Sequence, residues 1–139
     1  MKIYAICLVK NEEDIIEYCL HAASKWADKI IVYDNGSTDN TWRKVQEAAR
    51  AEAKIIAWKS INKAYHDGLR AEVFNAFKHH LEKGDWWAIL DADEFFMSNP
   101  REFLKSVPRK YHKVKTKSFD SCNQSLTTEV SSSEFLAIV

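Results

Sequence analysis

The chain has few glycines, few cysteines and no net charge, and each shortage removes a class of function. Gly36, Gly68 and Gly84 are its three glycines, too scattered to build a GxGxxG fingerprint or a Walker phosphate loop. Cys7, Cys19 and Cys122 are odd in number and include no CxxC pair. That argues against a disulfide framework or a zinc site and for a reducing compartment. Lys and Arg total 20, as do Asp and Glu, so the overall charge gives no support for a nucleic-acid partner. The apolar run near the N-terminus, Ile3 to Val9, has seven residues. A spanning helix needs about 20, and no small-residue cleavage site follows the run. The expectation is a cytoplasmic protein with no transmembrane segment, at most peripheral at the inner membrane face.

What is present suits one folded domain. The chain has 139 residues, 46% of them hydrophobic and 29% charged, enough to bury a core. Ile3 to Val9 is continuously apolar, as a strand covered on both faces would be. Lys10 to Asp14 follows, with Asn11 as a candidate N-cap and acids in the first helical turn. Ile15, Cys19, Ala22, Ala23 and Trp26 then keep helical spacing. Lys29 to Asp34 is a second strand, closed by an Asn35-Gly36 turn. Trp42, Val45 and Ala49 stripe a second helix beginning near Thr41. Lys54 to Trp58 is a third strand. A polar loop leads to a helix expected over 66–82, with Leu69, Val73, Phe77 and Leu81 on one face. A fourth strand begins at Trp86. This alternation predicts an α/β fold of three layers, α/β/α, on a mainly parallel sheet.

The fourth strand carries the chemistry. Trp86 to Leu90 is apolar and ends in Asp91, Asp93 and Glu94. Carboxylates this close repel one another and resist burial unless a cation joins them. Oxygen ligands alone, too few for a closed cage, point to Mg²⁺ or Mn²⁺ with positions left for substrate phosphates. An acidic surface turn is the plain alternative. In parallel sheets ligands collect beyond the carboxyl ends of the strands, where strand order reverses. A sheet ordered three-two-one-four would bring the polar clusters after strands one, two and four onto one rim. The end of strand three, Trp58-Lys59-Ser60, has little to add.

Three segments together resemble family 2 glycosyltransferases: Leu8-Val9-Lys10-Asn11-Glu12, Val32 to Thr41, and Leu90-Asp91-Ala92-Asp93-Glu94-Phe95. The first two look like that family's nucleotide-binding segments and the third like its DxD motif. The resemblance, over about residues 1–105, implies a GT-A fold and transfer of a sugar from a nucleotide-diphosphate donor, with inversion. A UDP-sugar is the expected donor, Mn²⁺ or Mg²⁺ the cofactor, and a glycan or lipid-linked hydroxyl the acceptor. It further implies that Val9, Lys10, Asn11, Glu12, Asp34, Asn35, Ser37, Arg70, Asp91, Ala92 and Asp93 bind the donor. Asp34 would meet the base, Glu12 the base or ribose, and Arg70 the diphosphate, with Asp91 and Asp93 at the metal. Each has a plainer reading: Asp34, Ser37 and Asp39 as helix caps, Glu12 as a partner of the helix dipole, Arg70 as a solvated charge.

The resemblance ends near Pro108. Residues 1–108 are expected to form the nucleotide-sugar portion and 109–139 a short segment with an incomplete acceptor region, so that the chain reads as truncated. Acceptor attack needs a general base, and Asp120, Glu129 and Glu134 are the remaining acids, none in a recognisable motif. The alternative is a nucleotide-sugar-binding module without catalysis. A homo-oligomer would complete an open sheet edge.

Overall fold

The computed structural model describes residues 1–66, 68–115 and 134–138. Asp120, Glu129, Cys122 and the Ser/Thr-rich stretch 116–133 lie outside the described residues. Strands β1 (Ile3–Val9), β2 (Lys29–Asp34), β3 (Ile55–Ser60) and β4 (Trp86–Leu90) alternate with helices α1 (Ile16–Ser24), α2 (Thr41–Ala51) and α3 (Gly68–Phe77). Helix α4 (Pro100–Ser106) and strands β5 (Lys113–Lys115) and β6 (Glu134–Ala137) complete the order. The sheet runs β3-β2-β1-β4-β6-β5. Its first four strands are parallel, in the three-two-one-four order that brings the polar clusters onto one rim, and β6 and β5 add antiparallel.

Alternation along the strands builds two cores. Ile3, Ala5, Cys7 and Val9 face one side with Ile16, Leu20, Val45, Trp86 and Leu104. Ile6, Ile31, Tyr33 and Trp87 face the other with Leu69 and Val73 of α3. Trp86 and Trp87 therefore serve opposite layers, as neighbours on a strand must. The sheet is covered on both faces, which explains the unbroken apolar run of β1. Glu134 to Ala137 is a strand: Phe135 pairs with Ala88 and meets the rings of Trp26 and Phe96 at 6.0 and 5.5 Å.

Three sequence expectations are corrected. Helix α1 begins at Ile16, after the acids that were expected in its first turn, and Asn11 is not its cap. Asn11 instead has φ 52°, a left-handed conformation that Asn tolerates better than most residues. The helix expected over 66–82 ends at Phe77, followed by a 3₁₀ turn at Lys78–His80. Leu81 is still buried, so the apolar period outlasts the helix. Helix α4 is capped by Asn99, which accepts from the Arg101 amide, has Pro100 in its first turn and runs to Ser106.

Side chains close the far edge of the sheet, at the start of the strands. Asp85 accepts from the amides of Lys2 and Glu82 at 2.7 and 2.9 Å, and Asp28 from that of Ile3 at 2.7 Å. Arg101 ties α4 to this edge through Asp28 at 2.5 Å and the Trp26 carbonyl at 2.8 Å.

Phe135 is 1% exposed, so Phe135→Ala should cost about 3–5 kcal/mol in chemical denaturation. A midpoint unchanged from the parent protein would mean that β6 is no part of the cooperative fold.

Candidate functional site

The carboxyl ends of β1 and β2 lie side by side, with Val9 opposite Asp34. Asp34 is fully buried, and a buried carboxylate needs hydrogen-bond donors. It accepts from the Ser37 amide at 3.0 Å, the Ser37 hydroxyl, and the Ser60 hydroxyl at 2.6 Å. Ser60 reaches it because the pairing of β2 with β3 slips by one residue between Val32 and Tyr33. Without that bulge, Lys59 would stand opposite Asp34.

The turns after β1 and β2 are laced together. The Asn11 amide donates to Ser37 Oγ and the Thr38 amide to Asn11 Oδ1, both at 2.8 Å. The Glu12 amide donates to Thr41 Oγ1 at 2.8 Å and the Asn40 amide to Glu13 Oε2 at 3.0 Å. Thr41 Oγ1 in turn donates to Asp39 at 2.5 Å. Gly36 has φ +72°, and a Cβ there would come within 2.5 Å of the Asn62 side chain. This turn thus both requires glycine and presses on the loop after β3.

That loop forms the far wall of a recess of about 420 Å³ at the rim. Leu8, Val9, Lys10, Glu12 and Asn35 line one side; Asn62, Lys63, Ala64 and Tyr65 line the other. Asn35 Oδ1 accepts from the Lys63 amide at 3.0 Å and joins the two walls. Next to the recess, Arg70 donates from Nη1 to the Tyr65 hydroxyl and from Nη2 to Asp91 Oδ1, both at 2.9 Å. Its Nε is buried without a partner among the described residues.

Negative charge gathers here. Partial burial pushes the Glu12 carboxyl above the ordinary glutamate range, and the charges of Asp93, Asp39, Asp14 and Asp91 add to the effect. Behind the rim, the Cys19 thiol donates to the Asp91 carbonyl at 3.7 Å. Its hydrogen bond with Cys7, together with burial, pushes the Cys7 thiol well up, so Cys7 stays neutral. Among the described residues no three His, Cys, Asp or Glu side chains form a metal cage by themselves. The residues present do fit a hard cation that keeps positions for water and phosphate. Asp91 and Asp93 offer oxygen ligands, Arg70 bonds to Oδ1 of Asp91, and the surrounding acids want a counter-charge.

The expected residues are thus spread over four settings. Val9, Lys10, Glu12 and Asn35 line the recess; Asn11 and Ser37 lie in the clasp. Arg70, Asp91 and Asp93 stand beside the recess, with Ala92 buried between the two aspartates. Asp34 is sealed beneath. To reach a base it would have to release the Ser37 or Ser60 hydroxyl. Sequence reasoning missed Ser60, Asn62, Lys63 and Tyr65. The β3 end and its loop carry no motif, and a bulge brings Ser60 into place. Among the described residues no helix is long and apolar enough to cross a membrane.

Comparison with known structures places this architecture. The mannosyltransferase PcManGT of Pyrobaculum calidifontis, solved with GDP-Man and Mn²⁺, is 20% identical over 74% of this chain, with a TM-score of 0.57. TarS of S. aureus is 18% identical over 92% of this chain, with a TM-score of 0.60. Its fragment 1–349 is 18% identical over 99%, with a TM-score of 0.53. The chain spans 30%, 23% and 47% of those three chains, so it matches less than half of each. At such identities the likeness shows the fold, which is GT-A. No curated protein matches the sequence. The family model described as glycosyl transferase family 2 matches residues 4–114, and the chain belongs to that family.

Proposed function

We propose that the rim binds a nucleotide-diphosphate sugar with Mn²⁺ or Mg²⁺, and that the protein containing this chain transfers the sugar, with inversion, to the hydroxyl of a glycan or lipid-linked acceptor. The observation that carries this reading is the gathering of Asp93 and Asp91 near Glu12, with Asp91 alone of the three ion-paired, to Arg70, among the described residues. Membership of family 2 supports it, as does a structural neighbour solved with GDP-Man and Mn²⁺.

In this reading the nucleoside enters the recess between Val9–Glu12 and Asn62–Tyr65, with Asn35 holding the two walls at a fixed spacing. A UDP-sugar is the expected donor, and a GDP-sugar is the comparison to run beside it. Asp91 and Asp93 would hold the cation, which supplies Lewis-acid stabilisation of the departing diphosphate. Arg70 orients Asp91 and presents positive charge where the diphosphate lies, in a setting that is already hydrogen-bonded before substrate arrives. Asp34 acts from below by keeping the turn after β2 and the end of β3 in register. The base that deprotonates the acceptor is assigned to no residue.

Asp93→Asn should weaken Mn²⁺-dependent binding of the nucleotide sugar by about tenfold or more in calorimetry, with the circular dichroism spectrum unchanged. Binding equal to the parent would remove the cation site from the rim. Donor hydrolysis or transfer would separate an enzyme from a module that only binds.

Glu12 gives a second test, with a definite sign. Its folded pKa lies above the unfolded value of about 4.3, so ionisation costs the folded state stability. That cost is absent below the unfolded pKa and complete once pH has risen past the folded one. Glu12→Gln should therefore raise stability at neutral pH, leave it unchanged at about pH 3, and weaken Mn²⁺ binding. Denaturation midpoints at the two pH values read this directly; a loss of stability at neutral pH would contradict the charge crowding.

A further inference from the structure

The balanced charge of the chain hides a division by position. Acids crowd the rim, whereas from Phe103 to Lys115 the sequence carries Lys105, Arg109, Lys110, Lys113 and Lys115 and no Asp or Glu. This segment borders a groove of about 760 Å³ at the other end of the sheet, where β1 and β4 begin and β6 finishes. Lys83, Lys105, Arg109 and His112 line it. Lys105 pairs with Glu102 at 2.8 Å across an exposed helical turn, a contact that contributes little. Lys83 and Arg109 are exposed and have no acidic partner among the described residues. Asp85 also borders the groove, but both its oxygens accept from backbone amides.

The walls are apolar: Trp86, Leu104, Val107 and Ile138. Tyr111 and Phe103, beside the groove on the same segment, are 51% and 55% exposed. Free inorganic phosphate would satisfy the cations and leave the half-buried Val107 and Ile138 and the two rings in water. A purely apolar partner would leave Lys83 and Arg109 unanswered. An anionic lipid satisfies both, with its phosphate at the cations and its hydrocarbon against the walls, and cations interleaved with aromatics are the surface that such an interface favours.

We propose that this groove docks the protein on an anionic phospholipid surface. The seven residues of β1 span about 20 Å. Docking by this end would therefore hold the acidic rim away from the lipid charge and open to water. The two sites are separable, so the proposal stands or falls apart from the donor chemistry.

The test is co-sedimentation of the full chain with phosphatidylcholine vesicles with or without phosphatidylglycerol. Binding should require phosphatidylglycerol and weaken as salt rises. Joint Lys83→Glu and Arg109→Glu substitution should reduce partitioning by about tenfold or more, while Mn²⁺-dependent nucleotide binding stays unchanged. Both residues are exposed, so the fold should survive, and nucleotide binding reports that it has. Tyr111→Ala should weaken partitioning without altering its salt dependence. Equal binding to neutral vesicles, or undiminished binding by the charge-reversed protein, would overturn the proposal. So would saturable binding of inorganic phosphate or self-association through this face with no affinity for vesicles.

Discussion

A carboxylate sealed from water must find hydrogen-bond donors, and the rim is arranged by where Asp34 finds its own. One set comes from Ser37, three residues on; the other comes from Ser60, on the neighbouring strand. Satisfying that single group ties the turn after β2 to the end of β3. The same Ser37 hydroxyl accepts from Asn11 and so draws in the turn after β1. Removing one partner of a buried carboxylate leaves the desolvation penalty uncompensated, which makes this junction rigid. The recess at the rim is the space that these three turns leave between them.

Rigidity has an electrostatic consequence. With the turns laced, Glu12 cannot retreat from Asp93 and Asp91, and its carboxyl is held in a field that opposes its charge. Arg70 answers part of that field by bonding to Asp91. A site that keeps like charges together before a ligand arrives needs little rearrangement to receive one of opposite charge. That is the economy of a preorganised polar site. At the other end of the strands Lys83 and Arg109 stand at a groove whose walls are apolar.

Particular residues mark where sequence reading succeeds and where it stops. Continuous apolar runs alternating with helical periods foretold the parallel sheet, because burial on both faces leaves that imprint, and the three-two-one-four order is the one that would bring the polar clusters together. Asn99 and Pro100 mark the start of α4 in the sequence itself, since capping is local chemistry. Leu81 misled, because its spacing continues the apolar stripe of α3 although the backbone has already turned. Asn11 misled for a related reason: a cap and a left-handed turn attract the same residue type.

Hydrophobic period and short-range preference, which act within a few residues, were enough to determine the layers and the rim, while the family was legible through the resemblance of three segments. The choice between Asp34 as an exposed contact and Asp34 as a sealed junction was made only by tertiary structure. It depends on a one-residue slip between two strands that brings Ser60, 26 residues away, within hydrogen-bonding distance. The same holds for the gathering of Asn62 to Tyr65 at the recess and of Lys83 with Arg109 at the groove. Contacts between residues distant in the chain are set by how layers pack, and no local spacing records them.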